Sequence, residues 1–284
     1  MYSKQKGLIL LTKYRLALLV VFSAVVSYVT IADNPELKPL IYLGIGGFLI
    51  TGASNGFNQI FEKKYDAQME RTQNRPMPLG VLSNTEALIF SFFITVVGLI
   101  FLYMCSFLTA LIGFISMLMY VLVYTPLKRR TSWAVFAGAF PGAFPTLIGA
   151  ITGQSQQDTI EFFSWMLFLI QFIWQFPHFW TLAWFNYEDY ARAQFYLLPN
   201  KKKDRFSAYL IFLYTIFLVA AALLPYFFHY TGWISFAIIL MASVTLLLQA
   251  YYFYRYQTDE MARKLFKACI VYLPLVQLSI MTRL

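Results

Sequence analysis

The sequence predicts an all-α fold: a polytopic membrane protein with nine transmembrane helices in a single bundle and its N-terminus inside. Three observations carry this. Of the 284 residues, 60% are hydrophobic and only 12% charged, a balance that a water-soluble domain cannot hide in its interior. Nine apolar stretches, each of roughly the 20 residues that cross a bilayer core, follow one another along the chain. The basic residues cluster between alternate stretches, as a fixed membrane orientation requires.

The first stretch, 16–32, follows a basic lead. A cleaved secretion signal begins in the same way, but a convincing small-residue cleavage site is missing and many spans follow, so a retained helix is the better reading. The second, 39–60, runs without a break into a charged segment. The third and fourth, 86–104 and 107–125, meet tightly around Cys105 and Ser106, and one long helix there is the main alternative to the count of nine. The remaining stretches are 133–152, 161–184, 206–227, 232–254 and 266–282.

With the N-terminus inside, this count puts every Lys and Arg of the 22 on the inner face except Lys38 and Arg283. The short outer loops carry Asp33, Glu36, Asp158 and Glu161, whereas inner loops at about 61–85 and about 185–205 are long and are where function is expected. No internal repeat or soluble domain is visible, so residues 1–284 read as one intramembrane domain. The net charge of +9 sits beside apolar runs and suits lipid headgroups, which argues against nucleic acid. Cys105 and Cys269 lie singly in apolar segments, without disulfide or zinc spacing.

The segment after the second stretch carries the chemistry. Asn58, Glu62 and Asp66 recur at i, i+4 and i+8, placing three oxygen-bearing side chains on one helical face. Magnesium favours oxygen ligands shared with phosphate, so this face plus a diphosphate makes a plausible site. Arg71 and Arg75 follow four apart, near Lys63 and Lys64, all able to engage phosphate oxygens. Pro76 and Pro78 then end any helix. A solvated loop with helix-face ion pairs would look similar, but Asn58 and Glu62 continue an apolar span, where polar side chains are costly and usually functional.

At these residues the chain resembles the UbiA superfamily of intramembrane prenyltransferases, and within it the haem O synthase branch. The first motif of that family is matched by Asn58, Glu62, Asp66, Met69, Arg71, Thr72, Arg75 and Pro76. A second block from Tyr124, YTPLKRRT, brings Lys128, Arg129 and Arg130, which alone would also suit a positive-inside anchor. A third, WQFPHFWTLAWFNYEDYARAQ from Trp174, is similar to the signature of the haem branch. His178 falls where quinone-forming relatives place an aspartate, Asp189 falls on a later one, and Gln194 stands where the family commonly has Gly.

The resemblance implies farnesyl transfer from farnesyl diphosphate to a vinyl group of haem B, with water added. The lack of an extended transit peptide points to a bacterial plasma membrane rather than a mitochondrial inner membrane, and the positive-inside charges put the motif-bearing loops, and so the active site, on the cytoplasmic side. The resemblance also implies Mg2+ held by Asn58, Glu62, Asp66 and Asp189, and diphosphate held by Arg71, Arg75, Lys128, Arg129 and Arg130. His178 is the candidate haem contact, either on the iron, on a propionate or as a proton carrier; a satisfied helix-end histidine is the alternative. Asp189 could instead simply pair with Arg192. His229, beside Tyr226 and Tyr230, reads as interfacial. Expected partners are the lipid bilayer and a downstream haem A synthase or oxidase assembly factor. Rival readings are a prenyltransferase for an aromatic quinone precursor, a non-catalytic haem assembly factor, and a transporter, whose charges would sit at the bilayer midplane instead.

Overall fold

The computed structural model describes residues 3–154 and 160–282, and among them there is no strand. The first stretch holds a short α1 (Lys4–Leu11) and α2 (Tyr14–Ile31). The long α3 (Leu37–Asp66) carries the second stretch straight into the charged segment. A capping box of Ser83 and Glu86 starts α4 (Asn84–Tyr103). Ser106 caps α5 (Phe107–Leu118) by accepting the Thr109 N–H, so the tight junction around Cys105 is a true break.

From α5 the chain passes through a π-helical segment, Met119–Tyr124, into a single turn, α6 (Thr125–Leu127). Then come α7 (Ala134–Gly153), α8 (Phe162–Phe185), the short α9 (Tyr187–Arg192), α10 (Arg205–Phe227), α11 (Trp233–Tyr256) and α12 (Asp259–Thr282).

Each of the nine predicted stretches therefore carries a helix. Among the described residues, eight units are long and apolar enough to cross a membrane by length and composition: α1 with α2, α3, α4, Phe107–Leu127, α7, α10, α11 and α12. The exception, α8, has 24 residues but contains Gln171, Gln175, Pro177, His178 and four tryptophans, which lower its mean hydropathy. It packs against α7, α10 and α12 inside the bundle. Asp158 and Arg283 lie outside the described residues.

Small residues decide the central contacts. A Cβ on Gly149 would lie 1.9 Å from the Ala24 carbonyl oxygen, so the α2 and α7 backbones touch, as small residues permit in membrane bundles. The interior also holds a chain of amides. Gln171 and Gln175 of α8 both donate to the Gly142 carbonyl of α7, at 2.8 and 3.0 Å. Gln277 of α12 donates to Gln171, and Ser23 of α2 donates to Gln277. Where lipid supplies no hydrogen bonds, such pairing ties helices together. Leu88, Ile89, Phe92, Phe93 and Val96 of α4 point outward, the apolar exterior that a bilayer solvates.

Candidate active site

The three sequence blocks, far apart in the chain, meet at one end of the bundle. The last turns of α3 bury Asn58, Glu62 and Asp66, which are 1%, 5% and 0% exposed. Burying carboxylates is costly unless each is paired, and each here has its own cation. Asp66 accepts from Arg75 Nη1 at 2.9 Å on Oδ1 and 2.7 Å on Oδ2. Glu62 Oε1 accepts from Lys128 Nζ at 2.8 Å.

Lys128 reaches that position because of the π-helical segment before it. Pro126 has no N–H to continue an α ladder, and the helix widens, the Thr125 N–H returning to the Tyr120 carbonyl. The Thr125 hydroxyl donates to that same carbonyl and accepts from Asn58 Nδ2 at 3.0 Å. Asn58 thus locks α3 to the segment delivering Lys128. The Lys128 ammonium lies 4.5 Å from the Tyr124 ring centroid, a cation–π contact. Burial works against its charge, but the neighbouring Glu62 carboxylate prevails and holds it above the ordinary lysine value.

The loop after α3 is anchored by Asp189 on α9. Its Oδ1 takes the Glu70 N–H and an Arg192 guanidinium, while Oδ2 takes the Arg71 N–H. Burial alone would raise the Asp189 carboxyl, but Arg192 and the two backbone N–H groups hold it below the ordinary aspartate value. Arg71 Nη2 in turn donates to the Tyr190 hydroxyl at 3.2 Å. Arg129 stacks over the Tyr65 ring at 4.2 Å and donates to its hydroxyl and to Gln194 Oε1. Gln194 holds φ at +57°, the left-handed conformation that glycine adopts without penalty.

Other candidates lie apart. Arg130 is exposed at the rim. His178 stacks between Trp174 and Phe266, with centroids 4.2 and 4.8 Å away, and its Nδ1 is buried without a partner. By helical rise it is about 10 Å along α8 from Phe185 at the site end. His229 lines a cavity of about 610 Å³ with Asp33, Glu161 and Tyr230, near the α2 C-terminus and the start of α8, away from the carboxylates. Among the described residues no three His, Cys, Asp or Glu side chains gather around one point. The expected ligands Asn58, Glu62 and Asp66 share one face of α3, each already partnered, while Asp189 lies on α9 with three donors of its own. Sequence reasoning passed over Thr125, Tyr65 and Tyr190, and counted Lys13 only as an inner-face charge. An unpartnered left-handed lysine between two helices leaves no periodic signal.

Chemically, this end of the bundle offers buried oxygen ligands, each beside a cation that could turn to an anion. An oxygen-only donor set with one or two carboxylates fits magnesium when phosphate oxygens complete the coordination.

Comparison with known proteins gives a consistent answer. Residues 18–273 match the UbiA prenyltransferase family. A protoheme IX farnesyltransferase of Flavobacterium psychrophilum is 42% identical over 275 residues, covering 94% of this chain and 90% of its own length. One of Christiangramia forsetii is 42% identical over 273 residues, with 94% and 90% covered. A solved structure described as digeranylgeranylglyceryl phosphate synthase matches with a TM-score of 0.82 at 18% identity, covering 98% of each chain. A UbiA homologue from Archaeoglobus fulgidus bound to GPP and Mg2+ matches with a TM-score of 0.67 at 12% identity, covering 96% of this chain and 99% of its own. These identities make the solved structures evidence of fold alone.

Proposed function

The chain belongs to the UbiA prenyltransferase family, and from that premise we propose that it transfers a farnesyl group from farnesyl diphosphate to a vinyl group of haem B, adding water to give haem O. The observation that carries this reading is the pair of buried carboxylate–cation contacts, Glu62 with Lys128 and Asp66 with Arg75. Both partners in each contact suit a metal diphosphate: the carboxylates as oxygen ligands, the cations as phosphate donors.

In this reading Lys128 and Arg75 turn from their carboxylates to diphosphate oxygens, Arg71 and Arg129 approach from the loop and the α6 end, and Arg130 supplies charge at the rim. Glu62 and Asp66, with Asn58, would hold magnesium, whose charge would help neutralise the departing diphosphate. Asp189 already holds the loop backbone and serves the site first by fixing Arg71, with a metal contact as its further role.

The farnesyl C–O bond breaks with its electron pair leaving on the diphosphate. The vinyl terminal carbon forms the new C–C bond, and the resulting cation next to the porphyrin ring takes oxygen from water, which loses a proton. Preorganised cations lower the energy of the charge developing on the leaving oxygens. The apolar bundle limits quenching of the allylic cation by bulk water. His178, between two aromatic rings, is the residue we assign to the porphyrin.

The site end is proposed to face the cytoplasm of a bacterial plasma membrane, with a later haem-modifying enzyme or oxidase assembly factor as recipient. The test is conversion of haem B and farnesyl diphosphate by the purified protein in detergent, read by mass spectrometry, with and without a magnesium chelator and with Asp66→Ala alongside. A farnesylated, hydrated haem that disappears in both controls is expected. Undiminished turnover by Asp66→Ala would remove the site, and prenylation of an added aromatic acid without haem product would remove the acceptor.

A further inference from the structure

The break between α1 and α2 is held in place by α3. Lys13, at φ 48° and ψ 51°, occupies it in the left-handed conformation, which side chains other than glycine, asparagine and aspartate rarely adopt. Carbonyls near the end of α1, left short of helical partners, are taken by two buried amides. Gln59 Nε2 donates to the Leu11 carbonyl at 2.7 Å, and Asn55 Nδ2 to the Thr12 carbonyl at 3.1 Å. Asn55 and Gln59 are one turn apart on α3 and 2% and 0% exposed. Polar groups so placed inside a membrane helix call for a reason, and their visible work is to fix this break. Leu11 also packs with Met77 and Leu82, beyond Arg75 in the same loop, so the break and the loop are braced together.

The residue presented in this way is a lysine. Asn55 and Gln59 lie on α3 on either side of Asn58, so the break that carries Lys13 sits against the turn of α3 that leads into Glu62 and Asp66. Arg75 and Lys128 already have Asp66 and Glu62 as partners, whereas Lys13 forms no ion pair among the described residues. The site end therefore offers one basic side chain beyond the two that the carboxylates pair, a donor that an anion complements.

We propose that Lys13 is a further substrate-binding residue, whose ammonium receives anionic oxygens of a substrate and whose position is set by Asn55 and Gln59. The inference rests on the prenyl-transfer reading of the site. The shared chemistry is an oxyanion, supplied either by the prenyl diphosphate or by a porphyrin carboxylate.

The test compares the full-length wild type with Lys13→Met, Lys13→Arg and Asn55→Leu in detergent. KM is measured separately for farnesyl diphosphate and haem B, and the shift in melting temperature is measured with magnesium pyrophosphate and with haem B. Lys13→Met should raise one KM by about 10- to 100-fold, the factor expected for a lost charge-assisted hydrogen bond, with kcat changed much less. Lys13→Arg should recover most of the affinity, and Asn55→Leu should move the same KM although the lysine remains. A rise for farnesyl diphosphate, with loss of the pyrophosphate shift, assigns the diphosphate. A rise for haem B, with loss of the haem shift, assigns the carboxylate. Unchanged KM values and ligand shifts in Lys13→Met overturn the proposal. If Lys13→Met does not fold, wild-type affinity in Asn55→Leu, purified as a folded protein, overturns it instead. If the wild type transfers no farnesyl group, the functional reading fails, while the two ligand shifts still test Lys13.

Discussion

Consider the Glu62–Lys128 pair, whose side chains are 6% and 9% exposed and 2.8 Å apart. At that depth solvent screening is slight, and removing one partner leaves an uncompensated charge, at a cost of about 3–5 kcal/mol. Lys128→Met and Glu62→Gln should each lose roughly that much. The double variant buries no unpaired charge and should recover most of the loss, giving a coupling energy above about 2 kcal/mol. Activity should behave differently. Either single change removes a group assigned to the diphosphate or to its metal, and loss of one preorganised electrostatic contact costs about 10²–10³ in kcat. The double variant should therefore be stable and inactive. Thermal unfolding in detergent and turnover by mass spectrometry measure the two quantities on the same samples. Additive stability losses would refute the ion-pair argument, and a double variant with wild-type turnover would refute the functional one.

Three further changes test separate parts of the structure. In Gly142→Ala the new Cβ would meet the Gln175 amide at 2.6 Å, displacing it from the Gly142 carbonyl at a cost of about 1–3 kcal/mol; Gly44→Ala, with nothing within 4 Å, should be tolerated, and equal melting temperatures for the two would refute the amide chain. Asp204 caps α10 by accepting the Ser207 N–H at 2.8 Å, and Asp204→Ala should cost about 1 kcal/mol. Burial opposes the Asp204 charge, but its hydrogen bonds hold the carboxyl below the ordinary aspartate value. The cap's stabilisation is therefore present above that ordinary value and lost as pH falls through the folded one, so the variant's deficit should shrink in acid. Pro126→Ala restores a donor to the helix and should relax the π-helical segment, moving Thr125 away from Asn58; turnover should fall by about 10²-fold from misplacement of Lys128 without loss of melting temperature, and unchanged turnover would refute that role for the bend.

The parts of the fold legible in the sequence were those with a period or a length. Apolar stretches marked a helix at each expected place, and Asn58, Glu62 and Asp66 showed themselves by recurring on one face of an apolar helix. Gln194 was legible as a local departure, and its positive φ is the conformation that a glycine would favour. Partner choice was not legible. Glu62 and Lys128 are 66 residues apart, and nothing periodic says that one neutralises the other. Nor does the sequence mark the cation that each buried carboxylate has within the protein, Lys128 for Glu62 and Arg75 for Asp66.

That pairing explains the site's composition. A carboxylate placed to meet a divalent cation in an apolar bundle is a buried charge, and leaving it unpaired there is costly. Lys128 and Arg75 counter that cost, while also being groups that a diphosphate attracts. Binding a metal diphosphate would then exchange one set of charge contacts for another, leaving no buried charge alone in either arrangement. Neutralising only the carboxylates, with Glu62→Gln and Asp66→Asn together, should consequently weaken the response to magnesium while leaving more cations free for pyrophosphate itself. Pyrophosphate alone should then raise the melting temperature of that variant more than that of the wild type. An equal or smaller shift would mean that carboxylates and phosphate do not compete for Lys128 and Arg75, and the exchange would have to be abandoned.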